Sequence, residues 1–281
     1  MIIWLASYPK SGNTLMRTML AAYFFSKDGN FNFNLLNNIK QFPDKNVFKN
    51  LGINIETEIE IVKNYIRAQE EINKRDGPSI RFLKTHSALN NINGHSFTNL
   101  KNTLGAIYIV RDPRKIINSY ANHADVTQEE AHNRVLEVRQ LGGEEELENK
   151  TVVHAGSWAS NYNSWKEFKK VGRYLLIKYE DLIEDRKKIF VSVINFIQKI
   201  TNSKITIDLK KLDNTINTTS FDYLQNLEKT NSFPESYSKK KGTIKFFKYG
   251  TENDGKKNVP SHLRENLEKN LKKEMKELGY L

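Results

Sequence analysis

Short apolar segments alternate with helical segments along this chain, and this alternation restricts its fold more than any other feature. The apolar segments lie at residues 2–8, 80–85, 105–110 and 173–178, and their length suits buried strands. Strands that alternate with helices form a parallel sheet covered by helices on both faces. We therefore predict one α/β domain of this architecture over residues 1–281.

Hydrophobic residues recur at helical spacing between and after these strands. The helices are predicted at residues 13–25, 54–74, from 113 onwards, 127–140, 155–170, 184–199 and 260–278. By contrast, residues 229–259 are rich in Lys, Asn, Ser and Gly, which predicts a long segment that lacks regular structure for most of its length. A loop of that length in a compact domain is usually functional or disordered.

The charge balance narrows the classes of partner. Lys and Arg outnumber Asp and Glu by 44 to 33, and the net charge of +11 indicates an anionic partner such as nucleic acid, a membrane surface or a phosphorylated small molecule. The absence of cysteine excludes a disulfide scaffold, a thiolate metal site and a cysteine nucleophile. Without a signal peptide or an apolar run of roughly 20 residues, we expect a cytoplasmic protein with no integral membrane segment.

Residues 8–14, with the sequence YPKSGNT, join the first predicted strand to the first predicted helix. The first amides of a helix lack intrahelical partners and carry partial positive charge, so they can bind an anion. Gly12 permits close approach of the backbone, Lys10 adds a charge, and Ser11 and Thr14 add hydroxyl donors. The nucleotide signature GxxxxGK[ST] is absent. Taken alone, the segment fits a phosphate loop and a plain capped turn equally well.

Two further predicted strands end in residues that suit an anion or proton transfer. The third strand is followed by Arg111, whose planar guanidinium suits a phosphate, and Ser119 lies two helical turns later. The second strand ends in KTH at residues 84–86. Parallel strands bind ligands at their carboxyl ends, so these side chains are expected near one another. Each also has a structural interpretation: Arg111 can pair with the aspartate that follows it, and His86 can be a half-buried imidazole.

In this order, the motifs resemble those of the sulfotransferase family that uses 3′-phosphoadenosine 5′-phosphosulfate (PAPS), over nearly the whole chain. Residues 8–14 are similar to the family's 5′-phosphosulfate loop, YPKSGTTW, and Arg111 with Ser119 resembles its 3′-phosphate motif. KTH at 84–86 is similar to the catalytic motif of the cytosolic branch. Four further matches are tryptophans at 158 and 165, YEDL at 179–182, TTSF at 218–221 and KKG at 240–242. Each motif is weak alone, but seven in order are specific.

The resemblance implies a role for each matching residue. His86 is implied as the general base, and Lys10 and Lys84 as catalytic cations that stabilise the leaving group and the sulfuryl oxygens. The residues 229–259 would cap the bound cofactor, and no metal is required. PAPS binding is implied for Lys10, Ser11, Gly12, Asn13, Thr14, Leu15, Arg111, Ser119, Tyr179, Thr219, Phe221, Lys240, Lys241 and Gly242.

The chain also departs from the family pattern. Leu15 replaces the tryptophan that stacks on adenine, Asn13 replaces a threonine, and Lys240 replaces an arginine with a point charge. The family's dimer motif, KxxxTVxxxE, is not found, so the oligomeric state is open. The small-molecule acceptor is also open. Phenylalanines in and beside residues 26–52 favour an apolar alcohol or phenol unless they are core, whereas the acidic insert at 142–146 favours an amine unless it is a solvated loop.

Three other functions compete with the sulfotransferase interpretation. A P-loop kinase would need a fuller glycine-rich loop and an acidic Mg²⁺ ligand after a strand. A nucleic-acid-binding or membrane-surface protein rests on charge alone, because no RNP, helix-turn-helix or zinc signature is present. A catalytically silent nucleotide-binding relative is disfavoured by Lys10, Lys84 and His86.

Overall fold

The structure is a computed structural model, and it describes residues 1–55, 57–74, 80–141, 151–204, 206–231, 233, 237–239, 242–244, 247 and 259–281. The helices are α1 (Asn13–Phe25), α2 (Lys45–Lys49), α3 (Glu58–Lys63), α4 (Tyr65–Lys74), α5 (Pro113–Ala124), α6 (Gln128–Leu136), α7 (Trp158–Lys166), α8 (Tyr179–Glu184), α9 (Arg186–Thr201), α10 (Leu209–Thr218), α11 (Phe221–Thr230), α12 (Ser261–Asn270) and α13 (Lys272–Glu277). Short 3₁₀ turns occupy Phe33–Asn38 and Glu167–Val171.

Among the described residues, the strands form one parallel sheet and three small antiparallel ladders. The sheet strands are β1 (Ile2–Ser7), β2 (Arg81–Thr85), β5 (Thr103–Val110) and β8 (Tyr174–Lys178), in the order β2-β1-β5-β8. The ladders pair β3 (Asn91–Ile92) with β4 (His95–Ser96), β6 (Gln140–Leu141) with β7 (Val153–His154), and β9 (Tyr237–Lys239) with β10 (Gly242–Ile244). The parallel sheet with flanking helices confirms the predicted fold class.

Alternation along β1 explains why helices cover both faces of the sheet. Ile2 and Trp4 pack into the hydrophobic cluster on one face, whereas Ile3 and Leu5 pack into the cluster on the other. Successive side chains of a strand point to opposite faces, so a strand that is apolar at every position needs cover on both. Complete burial of one such side chain stabilises the fold by about 1.5–3 kcal/mol.

Helices from different parts of the chain pack on the two faces of the sheet. The first cluster draws on α4, α5, α7 and the helices α12 and α13, and it holds Trp158, Trp165 and Met275. The second cluster draws on α1, α9 and α10, and it holds Met19, Phe190 and Leu212. The carboxyl ends of all four parallel strands are left at one edge of the sheet.

The strand predictions are confirmed, while several helix boundaries differ. Residues 54–74 form two helices separated at Asn64. The side-chain amide of Asn64 donates a hydrogen bond to the backbone carbonyl of Glu60. The segment 127–140 is helical only to Leu136, and 260–278 breaks at Leu271. The helices α10 and α11 had no predicted counterpart, although apolar residues recur at helical spacing in each. Side-chain caps, from Asp208 and Ser220, fix where they begin.

Regular structure occurs at some of the described positions of the segment 229–259. The helix α11 runs to Thr230, and the strands β9 and β10 pair within the segment. Lys240 and Lys241, predicted to bind PAPS, lie outside the described residues. Across the described part of the chain, no helix is long and apolar enough to cross a membrane.

Candidate functional site

The loop between β1 and α1 has an unusual backbone. Lys10 has φ of 65° and Gly12 has φ of 99°, so two of its residues lie in the left-handed region. That conformation costs a residue with a side chain about 1–2 kcal/mol, yet Lys10 adopts it. Left-handed residues turn successive amides towards one side, and here they precede the amino terminus of a 13-residue helix. This arrangement forms a concave site for an anion.

Three of the predicted motifs meet at this loop. The Nη1 atom of Arg111 donates to the carbonyl oxygen of Lys10 at 3.2 Å. The Arg111 guanidinium carbon lies 4.3 Å from the centroid of the Tyr179 ring. That ring also covers Gly12, where an added Cβ atom would lie 2.3 Å from Tyr179 Cδ2. The ends of β5 and β8 and the loop after β1 therefore form one site, and glycine is required at position 12 by contact as well as by φ.

Buried donors in this site fit an anionic ligand. Arg111 is 7% exposed and Ser11 is 0% exposed. Among the described residues, neither Arg111 Nε nor Ser11 Oγ has a hydrogen-bond partner. A buried donor without a partner costs about 1–3 kcal/mol, and native structures contain few of them. A phosphate or sulfate group offers acceptors to both a guanidinium and a hydroxyl, so the residues present fit such a ligand.

The tautomer of His86 is fixed by its neighbour. The Nδ1 atom of His86 lies 2.9 Å from the carbonyl oxygen of Ser7, the last residue of β1. A carbonyl only accepts, so Nδ1 carries the proton and, in the neutral ring, the lone pair is on Nε2. Asn13 also donates to Ser7 Oγ at 3.1 Å and to the carbonyl of Leu5 at 3.0 Å. The asparagine that replaces the family's threonine thus ties the loop to β1.

One face of α7 fixes the ends of β2 and β5. Trp158 Nε1 donates to the carbonyl of Arg111 at 3.1 Å, and Asn161 Nδ2 to the carbonyl of His86 at 3.0 Å. Trp165 Nε1 donates to the carbonyl of Ser87 at 2.8 Å. Residues at i, i+3 and i+7 share a helix face, so α7 holds both strand ends at once. Asn161 was not predicted as a site residue, and its only signal in the sequence was its position between the two tryptophans.

The other predicted site residues differ in their burial and in their local contacts. Lys84, Asn13, Thr14 and Thr219 are buried, whereas Lys10, Leu15, His86, Ser119, Tyr179 and Phe221 are partly exposed. The Thr219 hydroxyl donates to the carbonyl of Thr215 at 2.6 Å. The Phe221 ring lies 6.2 Å from that of Phe247, while Leu15 packs against the apolar cluster around α1. Gly242 lies in β10. No metal-binding group of three or more His, Asp or Glu side chains occurs among the described residues.

An open groove of about 780 Å³ adjoins the segments that hold His86. Its lining is mostly polar and includes Asn90, Asn133, Glu137, Arg139, Gln140 and His154. The amide of Ala88, two residues after His86, donates to the carbonyl of His154 at 2.8 Å. The backbone carbonyl of Arg134, another lining residue, accepts a 2.7 Å hydrogen bond from Tyr8 OH. Burial raises the pKa of Tyr8 well above its ordinary value, so this hydroxyl remains a donor.

One histidine of the groove has an altered pKa. Burial lowers the pKa of His154, and the nearby carboxylate of Glu58 partly opposes that change. The His154 Nε2 atom lies 2.9 Å from Glu58 Oε1. Gln140 also donates to Glu58 Oε1, at 3.0 Å, so one carboxylate lies beside two groove residues.

Fold and site together define an α/β protein with buried hydrogen-bond donors that fit an anion at the carboxyl edge of its parallel sheet. The sequence model described as "Sulfotransferase domain" matches residues 2–279, and the chain belongs to the sulfotransferase family. The resemblance drawn from the motifs is thereby confirmed, and the chain is an enzyme of the sulfotransferase class.

Individual relatives agree with this assignment. The chain is 24% identical to Sulfotransferase 1E1 of Mus musculus over 279 residues, which covers 97% of this chain and 83% of that protein. It is likewise 24% identical over 285 residues to Sulfotransferase 1E1 of Homo sapiens, with the same coverage.

Solved structures share the fold at lower identity. Mouse sulfotransferase SULT7A1 complexed with PAP is 18% identical with a TM-score of 0.57, covering 98% of this chain and 83% of that one. A retinol dehydratase in complex with androsterone and the inactive cofactor PAP is 13% identical with a TM-score of 0.63, covering 98% and 80%.

Proposed function

We propose that this enzyme transfers a sulfuryl group from PAPS to a hydroxyl or amine of a small-molecule acceptor, with His86 as general base. The observation that carries the proposal is the contact of residues 10–12 with Arg111 and Tyr179, where Arg111 Nε and Ser11 Oγ are buried without a hydrogen-bond partner among the described residues. Such a site suits a ligand with more than one anionic group. The two solved relatives named above were crystallised with PAP, the desulfated form of that donor.

Two groups of residues would hold the donor. The loop residues Lys10, Ser11, Gly12, Asn13, Thr14 and Leu15 would surround the 5′-phosphosulfate. The 3′-phosphate, which distinguishes PAPS from ATP, would lie at Arg111, Ser119, Lys240 and Lys241, and Tyr179, Thr219, Phe221 and Gly242 would contact the nucleotide. When bound, PAPS supplies the sulfuryl group and leaves as PAP with the electron pair of the broken S–O bond.

The chain's own residues would then stabilise the developing charge and accept one proton. His86 Nε2 takes the proton of the acceptor as the acceptor oxygen or nitrogen forms its bond to sulfur. Lys10 neutralises the charge that develops on the departing 5′-phosphate, and Lys84 stabilises the sulfuryl oxygens. In-line transfer through a loose transition state depends mainly on such positioning. The mechanism requires no metal ion.

The groove favours a polar acceptor. Amide and charged side chains line it, including Asn133, Glu137 and Arg139. By contrast, Phe42 and Phe48, which were candidates for an apolar acceptor pocket, are completely buried in the core. We therefore extend the proposal to an acceptor that carries several hydrogen-bonding groups.

Thermal denaturation with nucleotides tests the donor assignment. PAP should raise the melting temperature far more than ATP or AMP at equal concentration, because only PAP carries a 3′-phosphate. An equal response to ATP would contradict the proposal and favour the kinase alternative.

A cytoplasmic location stays a prediction of the sequence.

A screen with labelled PAPS tests the acceptor class. Amines and polyhydroxylated compounds should be labelled in preference to simple phenols, since the groove offers polar partners. Preferential labelling of phenols would contradict the polar assignment without affecting the donor assignment.

A further inference from the structure

A partly buried ionic network connects the helix α12 and the residue Tyr280, which follows α13, to the site. We define the C-terminal network as Asp112, Arg114, Glu180, Glu268 and Tyr280. Arg114 is at its centre and is only 6% exposed. Neither the motifs nor the resemblance assigned a role to Arg114, Glu268 or Tyr280.

Arg114 uses its whole guanidinium in this network. Its Nε donates to Asp112 Oδ1 at 2.9 Å, and its Nη2 donates to Asp112 Oδ2 at 2.7 Å. The same Nη2 donates to the carbonyl of Tyr280 at 2.9 Å, and Nη1 donates to Glu268. Such charged hydrogen bonds with little access to water are strong and geometrically restrictive.

Glu180 closes the network on the other side. Its Oε1 accepts from the backbone amide of Asp112 at 3.2 Å, and its Oε2 accepts from Tyr280 OH at 2.9 Å. Burial and the adjacent Glu180 carboxylate raise the pKa of Tyr280 above its ordinary value. The hydroxyl therefore remains a proton donor across the neutral range.

These hydrogen bonds matter because Asp112 and Glu180 each directly follow a residue of the anion site in sequence. Asp112 follows Arg111, and Glu180 follows Tyr179, the residue whose ring lies under that guanidinium. Tyr280 is bonded to both segments, through Arg114 and directly to Glu180. A shift of Tyr280 would thus change the spacing of the strand ends that carry Arg111 and Tyr179.

We propose that Arg114 and Tyr280 are positioning residues that hold Arg111 over Tyr179, and so set the selectivity of the enzyme for a 3′-phosphorylated nucleotide. This inference rests on the proposed function, in which Arg111 receives the 3′-phosphate. It predicts that the network affects the 3′-phosphate specifically, whereas a merely structural network would affect all nucleotides alike.

Calorimetric titration of PAP and AMP into the variants Tyr280→Phe and Arg114→Lys tests this. Tyr280→Phe removes one hydroxyl and should raise the Kd for PAP about 3- to 10-fold, while Arg114→Lys, which loses the fork, should raise it about 10-fold or more. The Kd for AMP should stay constant. The control Tyr23→Phe removes a buried tyrosine hydroxyl bonded to the amide of Asp208, on the other face of the sheet, and should change neither Kd.

Each result has a distinct meaning. A smaller ratio of the Kd for AMP to the Kd for PAP in both network variants supports the inference. An unchanged ratio, or an equal loss of PAP and AMP affinity, overturns it. If the unaltered enzyme itself binds PAP and AMP equally, the proposed function fails first, and that outcome is visible before any variant is made. Tyr280→Phe keeps the aromatic ring, so its melting temperature provides the check on folding.

Discussion

The two halves of the site differ in how they are built. The proposed donor side, formed by residues 10–12, Arg111 and Tyr179, is closely packed and depends on motifs at strand ends. The proposed acceptor side, formed by His86 and the groove next to it, is open, and the residues that line it, at 90–92, 130–140, 154 and 156, lie outside the motifs. A family can therefore keep one donor and vary its acceptor, because the acceptor side depends on connecting segments rather than strand ends.

Replacement of His86 should give the largest effect, on the chemical step. His86→Ala should lower kcat by about 10²–10⁴-fold, the usual contribution of a general base. The affinity for PAP should be unchanged, because His86 belongs to the acceptor side. Turnover is measured with labelled PAPS and binding by calorimetry.

The exposed residue His262 provides a control, since His262→Ala should leave both quantities unchanged. Transfer by His86→Ala at a near wild-type rate would show that another group accepts the proton.

Replacement of Arg111 should affect donor binding next most strongly. Arg111→Ala removes charged hydrogen bonds and should weaken PAP binding about 10- to 100-fold. The PAP affinity of Arg111→Lys should lie between those of Arg111→Ala and the unaltered enzyme, because lysine keeps the charge but lacks the planar, bidentate guanidinium. Arg173→Ala, at the amino end of the same sheet, loses a bond to the carbonyl of Thr103 and should not change the Kd. Equal PAP affinity in all three variants would contradict the donor side as defined.

A pair of glycine variants separates backbone strain from contact. Gly12 and Gly172 both have positive φ, of 99° and 68°, but only a Cβ at position 12 meets another side chain. Each alanine should cost about 1–2 kcal/mol of stability. Only Gly12→Ala should also weaken PAP binding, by about 10-fold, because it displaces the Tyr179 ring. Parallel loss of PAP affinity in Gly172→Ala would mean that strain, and not contact, controls the loop.

The smallest effect is expected from pH on the acceptor side. Burial lowers the pKa of His154 in the folded state, so the unfolded chain binds this proton more readily. The stability that His154 contributes is present above about pH 6.5 and is lost as the pH falls through its lowered folded-state pKa. Urea unfolding at pH 7.5 and pH 5.5 should show a smaller loss of stability in His154→Gln than in the unaltered enzyme.

The exposed His262 again gives the matched variant, and His262→Gln should keep the full pH dependence. An identical acid response in His154→Gln and the unaltered enzyme would assign the loss of stability to other groups.

Much of the donor side followed from local sequence. The apolar runs, the YPKSGNT loop and Arg111 each lie within a few residues of a strand end, and strand ends of a parallel sheet converge on one edge. The helix boundaries at Asn64 and Leu271 did not follow, because local side-chain bonds and packing decide where a helical pattern is interrupted.

Family, fold class and the identity of the motif residues were thus determined by the order of amino acids alone, since each depends on neighbours along the chain. The tertiary structure decided how those residues meet. Contacts such as Arg111 with Tyr179 and Asn161 with His86 join positions 68 and 75 residues apart, and they exist because of the strand order β2-β1-β5-β8 and the packing of α7. Neither is encoded in any short segment, because both depend on how the faces of separate elements fill a common core.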